Sequence, residues 1–345
     1  MVVSLKSLCK RFSSGDRIEA YKIKKFGKYP VFGGNGIRGY TDIYNFDGRC
    51  AVIGRQGANC GNVKYFCGKA FMTEHAVVVE ANEYNDIGYL SYRMSLMDLG
   101  KFQSQSAQPG LSVKTISEIP IEVPNLNIQK KIWKILNNIS EKTNNNNHIN
   151  NNLEELAYMI FLKKFTQKIP NGTIGDIIKE NEKSRIKVSD AKTVKGKYPF
   201  FTSGESILEW NDYLVEGRNL FFNTGGNADV KYYVGKAMYS TDTWCVTTNG
   251  DFSDYLYLYF KSIRGELDRK FFHGSGLKHL QKDLLKQEKI YIPEKEEISQ
   301  FNILVRPMFD IISENKIESQ KLKSLKEFIL PLLMNGQINV DDIEI

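Results

Sequence analysis

Cysteine, histidine, tryptophan and proline are all sparse in this 345-residue chain, at five, four, three and nine copies. The cysteines (Cys9, Cys50, Cys60, Cys67, Cys245) are odd in number and form no C-x-x-C pair, which argues against a disulfide framework. Cys60 and Cys67 with a histidine match no common zinc spacing. No uncharged apolar run approaches membrane-spanning length, and "MVVSLKSLCKRFSSG" carries no signal-peptide pattern, so the expected setting is cytoplasmic. Catalytic signatures are missing as well. There is no H-E-x-x-H, no G-K-[ST] phosphate loop, no G-x-S-x-G elbow, no [DNS]-P-P-[YFW] methyltransferase segment and no D-x(n)-E-x-K nuclease pattern at a strand pair. His75, His148, His273 and His279 share no spacing, and Asp42, Asp47 and Glu74 fall on turns, where solvated surface accounts for them.

One motif resembles a cofactor signature. In "YPVFGGNGIRGY", Gly34, Gly36 and Gly39 are spaced G-x-G-x-x-G. A dinucleotide-binding turn follows a strand and opens a helix, with an acidic ribose ligand about 20 residues on. Here "YTDIYNFDGRCAVIG" follows, aromatic and β-branched with an Asp47-Gly48 break, which reads as strand, turn, strand. A cofactor site is not expected.

What is present is cationic and repetitive. Lys and Arg total 47 against 40 Asp and Glu, a net charge of +7 that favours an anionic partner, nucleic acid first among them. With 41% apolar residues and 345 positions, two or three globular domains are expected. "GKYPVF" (27–32) recurs as "GKYPFF" (196–201), Gly48-Arg49 as Gly217-Arg218, and "GNVKYFCGKA" (61–70) as "ADVKYYVGKA" (228–237). Gly110-Leu111 ahead of "IPIEVP" recurs as Gly276-Leu277 ahead of "KIYIP". Landmarks in one order at a nearly constant offset mark a tandem duplication of a unit of about 170 residues.

Each unit opens with short aromatic or β-branched segments punctuated by Gly and Asn, the pattern of a mixed α/β domain, and closes with a helical stretch. Steps of three and four give one seam through Ile132, Ile135, Ile139, Lys142, Asn146, Ile149, Leu153, Leu156 and Ile160. A second runs through Leu304, Met308, Ile311, Asn315, Glu318, Leu322, Leu325, Ile329 and Leu332. Both carry two polar residues at the middle, and antiparallel pairing sets those polar middles opposite each other. Packing of each helix on its own domain is the alternative. The span 137–152 holds nine Asn, a mediocre helix former, but the seam phase continues across it and a weak helix centre is expected. Pro307 is expected to kink or start the second helix. Four heptads span about 40 Å, against about 34 Å per turn of B-DNA, so two binding domains on such a spacer suit a bipartite duplex site with an unread gap.

The order "KYPVFGGNGIRGYTDIYNFDGRCAVIGRQGANCGNV", "SAQPGLS", "IPIEVPNLNIQKKI" resembles the specificity subunits of type I restriction–modification enzymes. The second half follows with "KYPFFTSGE", "FFNTGGNADVKYYVGKA", "GSGLKHL" and "IYIPEKEEISQ", and "KLKSLKEFILPLLMNGQI" is similar to that family's closing helix. The resemblance implies an α+β chain: two tandem mixed α/β target-recognition domains (1–125 and 169–293) joined by two long antiparallel coiled-coil helices (126–168, and 294–345 with the tail), a pseudo-twofold internal repeat. It implies a non-catalytic recognition subunit that reads a bipartite double-stranded DNA site. Its expected partners are two adenine methyltransferase (modification) subunits and, through them, restriction subunits. S-adenosylmethionine, ATP and Mg belong to those partners, with no cofactor or metal in this chain.

The duplication also sorts residues. Identical pairs such as Tyr29/Tyr198, Pro30/Pro199, Gly48/Gly217 and Gly68/Gly235 cannot carry a difference between two half-sites and are read as fold residues. Shared cations Lys28/Lys197, Lys64/Lys231 and Lys69/Lys236 suit sequence-blind phosphate contacts. Base readout is expected where the copies diverge and the side chain has a hydrogen-bonding fork. That selects Asn35, Arg38, Arg55, Gln56, Gln105 and Gln108 in the first domain, and Ser203, Glu205, Asn223, Asn227, His273 and Lys278 in the second. Gly34, Gly36 and Gly39 have Ser203, Glu205 and Leu208 at the matching places, so the glycines are read as a tight loop that lets the backbone approach DNA and presents Asn35 and Arg38. Two other classes stay open: an enzyme with an unrecognised methyltransferase or nuclease site, and a repeat scaffold without a DNA role.

Overall fold

A computed structural model describes residues 2–57, 60–103 and 110–342. Residues up to 142 together with those from 322 onward form one compact unit, and 143–321 form the other. Gln105 and Gln108 lie outside the described residues.

The first unit is built on six strands: β1 (Cys9–Ser14), β2 (Tyr29–Gly33), β3 (Gly36–Thr41), β4 (Phe46–Gly54), β5 (Val63–Met72) and β6 (Ala76–Ala81). They form one sheet in the order β1-β6-β4-β5-β2-β3. Period-two alternation places the central strands between two cores. Ala51, Ile53, Val77 and Val79 point to one face, and Cys50, Val52, Ala76 and Val78 to the other. The first face is covered by α1 (Ile87–Ser95) and by the start of the long helix α2 (Leu126–Phe165), through Ile87, Leu90, Met94, Ile132 and Leu136.

The second unit repeats this order with β7 (Ile178–Glu180), β8 (Tyr198–Phe201), β9 (Ile207–Trp210), β10 (Arg218–Asn223), β11 (Val230–Val234), β12 (Met238–Tyr239) and β13 (Thr243–Thr248). The ten residues of β5 correspond to two pieces here, β11 and β12, so the sheet divides into β7-β13-β10-β11 and β9-β8-β12. Residue alternation is kept: Leu220, Phe222, Trp244 and Val246 face the large core, while Phe221 and Cys245 face the small one. Helix α3 (Ser253–Ser262) covers the large-core face, and α4 (Arg264–Phe271) follows it. The last helix, α5 (Lys295–Met334), begins well before Pro307 and continues through it, so the proline does not start the helix.

The two long helices run antiparallel. In the first unit Ile132 and Leu136 of α2 share a core with Leu333 and Met334 at the far end of α5. In the second, Ala157, Phe161 and Phe165 meet Phe301, Val305 and Phe309. The polar middles meet as well. Asn146 donates to the Glu318 carboxylate (2.7 Å) and the Ser319 hydroxyl (3.2 Å), and Asn315 donates to Asn150 (2.9 Å). The Asn-rich span is helical throughout.

The seam phase differs from the expected one. Ile149, Leu156, Leu304, Ile311 and Leu325 are exposed, while Asn150, Ala157, Val305 and Ile312 are buried one position on. The reason is a wider buried stripe. Each helix packs on its partner and on its own sheet domain at once, which favours four-residue steps such as 157, 161, 165 and 301, 305, 309 over a strict heptad.

Candidate nucleic-acid interface

In the first unit the G-x-G-x-x-G residues shape the outer edge of the sheet. Gly33 pairs with Gly36 across a two-residue turn, Gly34-Asn35, that closes the β2–β3 hairpin. Each glycine is required by an internal contact or by its backbone angle. A Cβ on Gly34 would come within 2.8 Å of the Gln56 carbonyl oxygen. Gly36 has φ +88°, in the region that disfavours side chains. A Cβ on Gly39 would come within 2.7 Å of the Lys24 carbonyl oxygen and 2.8 Å of Ile23. Gly34 and Gly39 therefore seat neighbouring backbone of this chain and Gly36 supplies the left-handed turn residue, so all three glycines have an internal role in the hairpin.

The hairpin gathers several of the expected residues. Asn35 sits at the exposed tip, and Arg38 is exposed with its aliphatic stem lying over Gly33. The Lys64 ammonium lies beside Gly36, on the rim of a shallow hollow lined by Gly33, Gly34, Asn35, Gly54 and Asn62. Gln56 is exposed next to Gly34 and pairs through its backbone with Gly110. Arg55 is only half-exposed. Its Nε donates to the Leu111 carbonyl (2.9 Å) and its Nη1 to Ser14 (3.4 Å), so much of its fork ties the 110–111 segment to the strand ends.

A feature that sequence reasoning passed over lies on the outer edge of β3. Lys24 exchanges two backbone hydrogen bonds with Tyr40 (2.8 and 2.9 Å), pinning the strap "EAYKIKKFGKY" (19–29) there. Tyr21 and Phe26 are about three-quarters exposed (75% and 76%), and Lys22, Lys25 and Lys28 hold their ammonium groups over Tyr21, Phe26 and Tyr29. Basic residues interleaved with exposed aromatics were legible in that stretch, which supplied only Lys28 to the candidate set.

The second unit uses its matching residues differently, and two assignments are corrected. Asn223 is buried, its amide donating to the Asn227 carbonyl (2.9 Å). Lys231 turns inward and donates to the Thr202 carbonyl and the Asn223 side-chain oxygen, both at 3.0 Å. Burial pushes its ammonium below the ordinary lysine pKa. A fork already spent on its own domain cannot read a base, and an ammonium that caps two internal oxygens is not free for phosphate. Ser203 accepts from the Thr224 amide (3.4 Å), while Glu205 is exposed on its turn. Exposed Asn227, His273 and Lys278 lie on two loops that the structure joins, since the Gly226 amide donates to the Lys278 carbonyl (3.0 Å). Lys278 also forms an ion pair with Asp268. Lys197 is exposed. Lys69 and Lys236 do the same job in both copies, lying over Tyr44 (4.7 Å) and Tyr213 (4.4 Å).

The family description "Type I restriction modification DNA specificity domain" matches this chain twice, over residues 1–155 and 168–327. The chain belongs to the type I restriction–modification DNA specificity family. A 138-residue stretch is 40% identical to the specificity subunit of the type I restriction enzyme EcoprrI of Escherichia coli, covering 39% of this chain and 34% of that protein. A putative type I restriction enzyme specificity subunit of Haemophilus influenzae is 24% identical over 79% of this chain and 77% of its own length. Among solved structures, the S subunit of a type I restriction–modification system from M. genitalium superposes with a TM-score of 0.71 at 16% identity, over 97% of this chain and 96% of that one. That match supports the fold: duplicated mixed domains with two long helices. Among the described residues no helix is long and apolar enough to cross a membrane.

Proposed function

We propose that this chain is the DNA-reading subunit of a type I restriction–modification assembly in the cytoplasm, with each sheet domain reading one half of a bipartite duplex site. The observation that carries the reading is the edge of the first sheet. There Asn35, Arg38, Gln56 and Lys64 gather around one hairpin with the basic, aromatic strap beside it. Arg and Asn or Gln forks suit guanine and adenine edges, and lysines suit phosphate. The chain supplies recognition and no chemistry. Two adenine methyltransferase subunits that bind S-adenosylmethionine, and restriction subunits that use ATP and Mg, are the proposed partners.

Co-expression with a type I adenine methyltransferase subunit, followed by mapping of N6-methyladenine in the host genome, tests this. The expected result is co-purification and methylation at one bipartite sequence with a fixed gap. Methylation by the chain alone, or S-adenosylmethionine binding by the chain alone, overturns the recognition-only reading. Absence of any sequence-dependent methylation with the partner present overturns the DNA-reading role. In the same complex Arg38→Ala is expected to lower binding to the mapped site about 10-fold more than to random duplex, the scale of one lost bidentate base contact.

A further inference from the structure

Both copies contain the same three-residue clasp of Arg, Tyr and Asp. In the first unit Arg49 on β4 donates through Nε to the Tyr65 hydroxyl (2.8 Å) and through Nη2 to Asp86 (3.2 Å). In the second, Arg218 on β10 donates through Nη1 to Asp254 (2.7 Å), whose same oxygen also accepts from the Tyr232 hydroxyl (2.6 Å). Arg, Tyr and Asp thus come from two adjacent strands and from the N-terminal end of the helix laid on them. Asp86 caps α1 by accepting from the Tyr89 amide (3.0 Å), and Asp254 stands in the first turn of α3.

The clasp reaches one element further, to the long helix, by different chemistry in each copy. Arg49 lies over the Trp133 ring of α2 (5.8 Å), and Gln129 one turn earlier accepts from the Asp86 amide (2.9 Å). Gly88 is what lets that indole approach, because a Cβ there would stand 2.2 Å from it. Arg218 instead pairs with Asp310 of α5 and donates to the Arg306 carbonyl (3.4 Å), while Arg306 faces Asp254 at 3.8 Å. Ile132/Val305 and Ser140/Ser313 lie the same distance apart in sequence as Trp133/Arg306, so Arg49 and Arg218 meet neighbouring turns of the two long helices, with Asp310 one turn beyond the Trp133 position. A guanidinium is a rigid planar fork. Here it joins three elements: the sheet, the helix laid on it and the long helix.

We infer that Arg49 and Arg218 are positioning residues that set the permitted gap between half-sites, by fixing the angle of each sheet domain on its long helix. The inference rests on the bipartite reading proposed above. One base pair of gap moves a half-site by about 3.4 Å and rotates it by about 34–36°. A domain free to tilt by a few ångströms would accept neighbouring gaps.

The test uses the complete complex with its methyltransferase subunits and duplexes carrying the mapped half-sites at the native gap and at one base pair more or less. Methylation at the native gap is divided by methylation at the altered gaps within one preparation, so a loss of folded protein cancels. Wild type is expected to favour the native gap about 10-fold or more, equivalent to about 1.4 kcal/mol. Asp310→Asn, which leaves Arg218 on Asp254, and Arg49→Gln are each expected to reduce that ratio at least about 3-fold with base preference within the half-sites unchanged; by the same conversion the reduction is about 0.6 kcal/mol. Arg218→Lys, which keeps a cation beside Asp254 but loses the fork, is expected to do the same. Ratios equal to wild type in all three variants overturn the inference, whatever the total activity. A wild-type protein indifferent to the gap overturns the bipartite reading itself, and that outcome is visible before any variant is made.

Discussion

The two sheet domains descend from one unit, yet the same lysine does opposite work in them. Lys64 of the first unit lies at the surface beside Gly36, and no carboxylate among the described residues forms an ion pair with it. Its counterpart Lys231 is folded into the domain, donating to Thr202 and Asn223. The residue that decides this sits on the neighbouring strand: Gly54 leaves a hollow where Asn223 fills one. One copy keeps a cation available at its hairpin, and the other spends it on internal oxygens. Sequence identity between duplicated positions is therefore weak evidence of shared function when the partner across the sheet has changed.

The sharpest way to probe the asymmetry is through the clasps. Asp254 is fully buried, and burial raises its pKa even though Arg218 opposes the shift. Asp86 keeps slight exposure, and its arginine is nearly half exposed. Arg218→Ala is expected to cost the second unit about 3–5 kcal/mol, the penalty for leaving a buried carboxylate without its main cation. Arg49→Ala is expected to cost about 1 kcal/mol or less. Denaturant titrations that report each unit separately check this, and equal losses would erase the contrast.

A smaller effect is expected at the lysines. Lys231→Ala leaves two buried acceptors unsatisfied and is expected to cost about 1–3 kcal/mol, with no change in the salt dependence of DNA binding. Lys64→Ala is expected to leave the denaturation midpoint unchanged and to lower the salt slope of binding by about 0.9, the signature of one lost phosphate contact. A reversed outcome would show that the inward lysine is the one that meets DNA.

Gly39→Ala probes the strap that only the first unit presents in this form. It places a side chain at φ +156° and against the Lys24 carbonyl, so a loss of about 1–2 kcal/mol and faster proteolysis within residues 19–28 are expected. Protease resistance equal to wild type would mean that the strap is held elsewhere.

The smallest effect is one of pH. Burial holds the pKa of Lys231 below its unfolded value, near 10.4. Between the two values the unfolded chain binds more protons, so stability rises with pH across that window. Lys231→Met is expected to lack this rise, and thermal unfolding of both proteins from neutral pH to about 10 checks it.

Much of the fold was legible because repetition substitutes for an alignment. Recurrence of "GKYP" and "VKYxxGKA" showed two copies, and the polar seam centres matched the pairing that Asn146, Glu318, Asn315 and Asn150 realise, although a midpoint alone does not fix helix direction. The exact seam was not legible, since Ala157 looks weaker than Leu156 until the sheet beside the helix is known. The candidate site was legible only in part. Arg38, Asn35 and Gln56 fell on one exposed edge, while Asn223 and Lys231 were claimed by their own domain. The recurrence of Gly48-Arg49 was visible in the sequence, but nothing in it shows that the arginine reaches Asp86 or Asp254 across some 36 positions.

Composition, repetition and period-two and helical patterning are local or additive properties of the chain, and by themselves they determined the duplication, the element types and the cationic character. Whether a given fork or ammonium is available depends on which oxygens lie within about 3 Å of it, and that is set by strands and loops distant in sequence. Tertiary structure alone decided that Gly34 and Gly39 seat this chain's own backbone, that Lys231 is spent and Lys64 is not, and that one arginine in each copy joins sheet, cap and long helix.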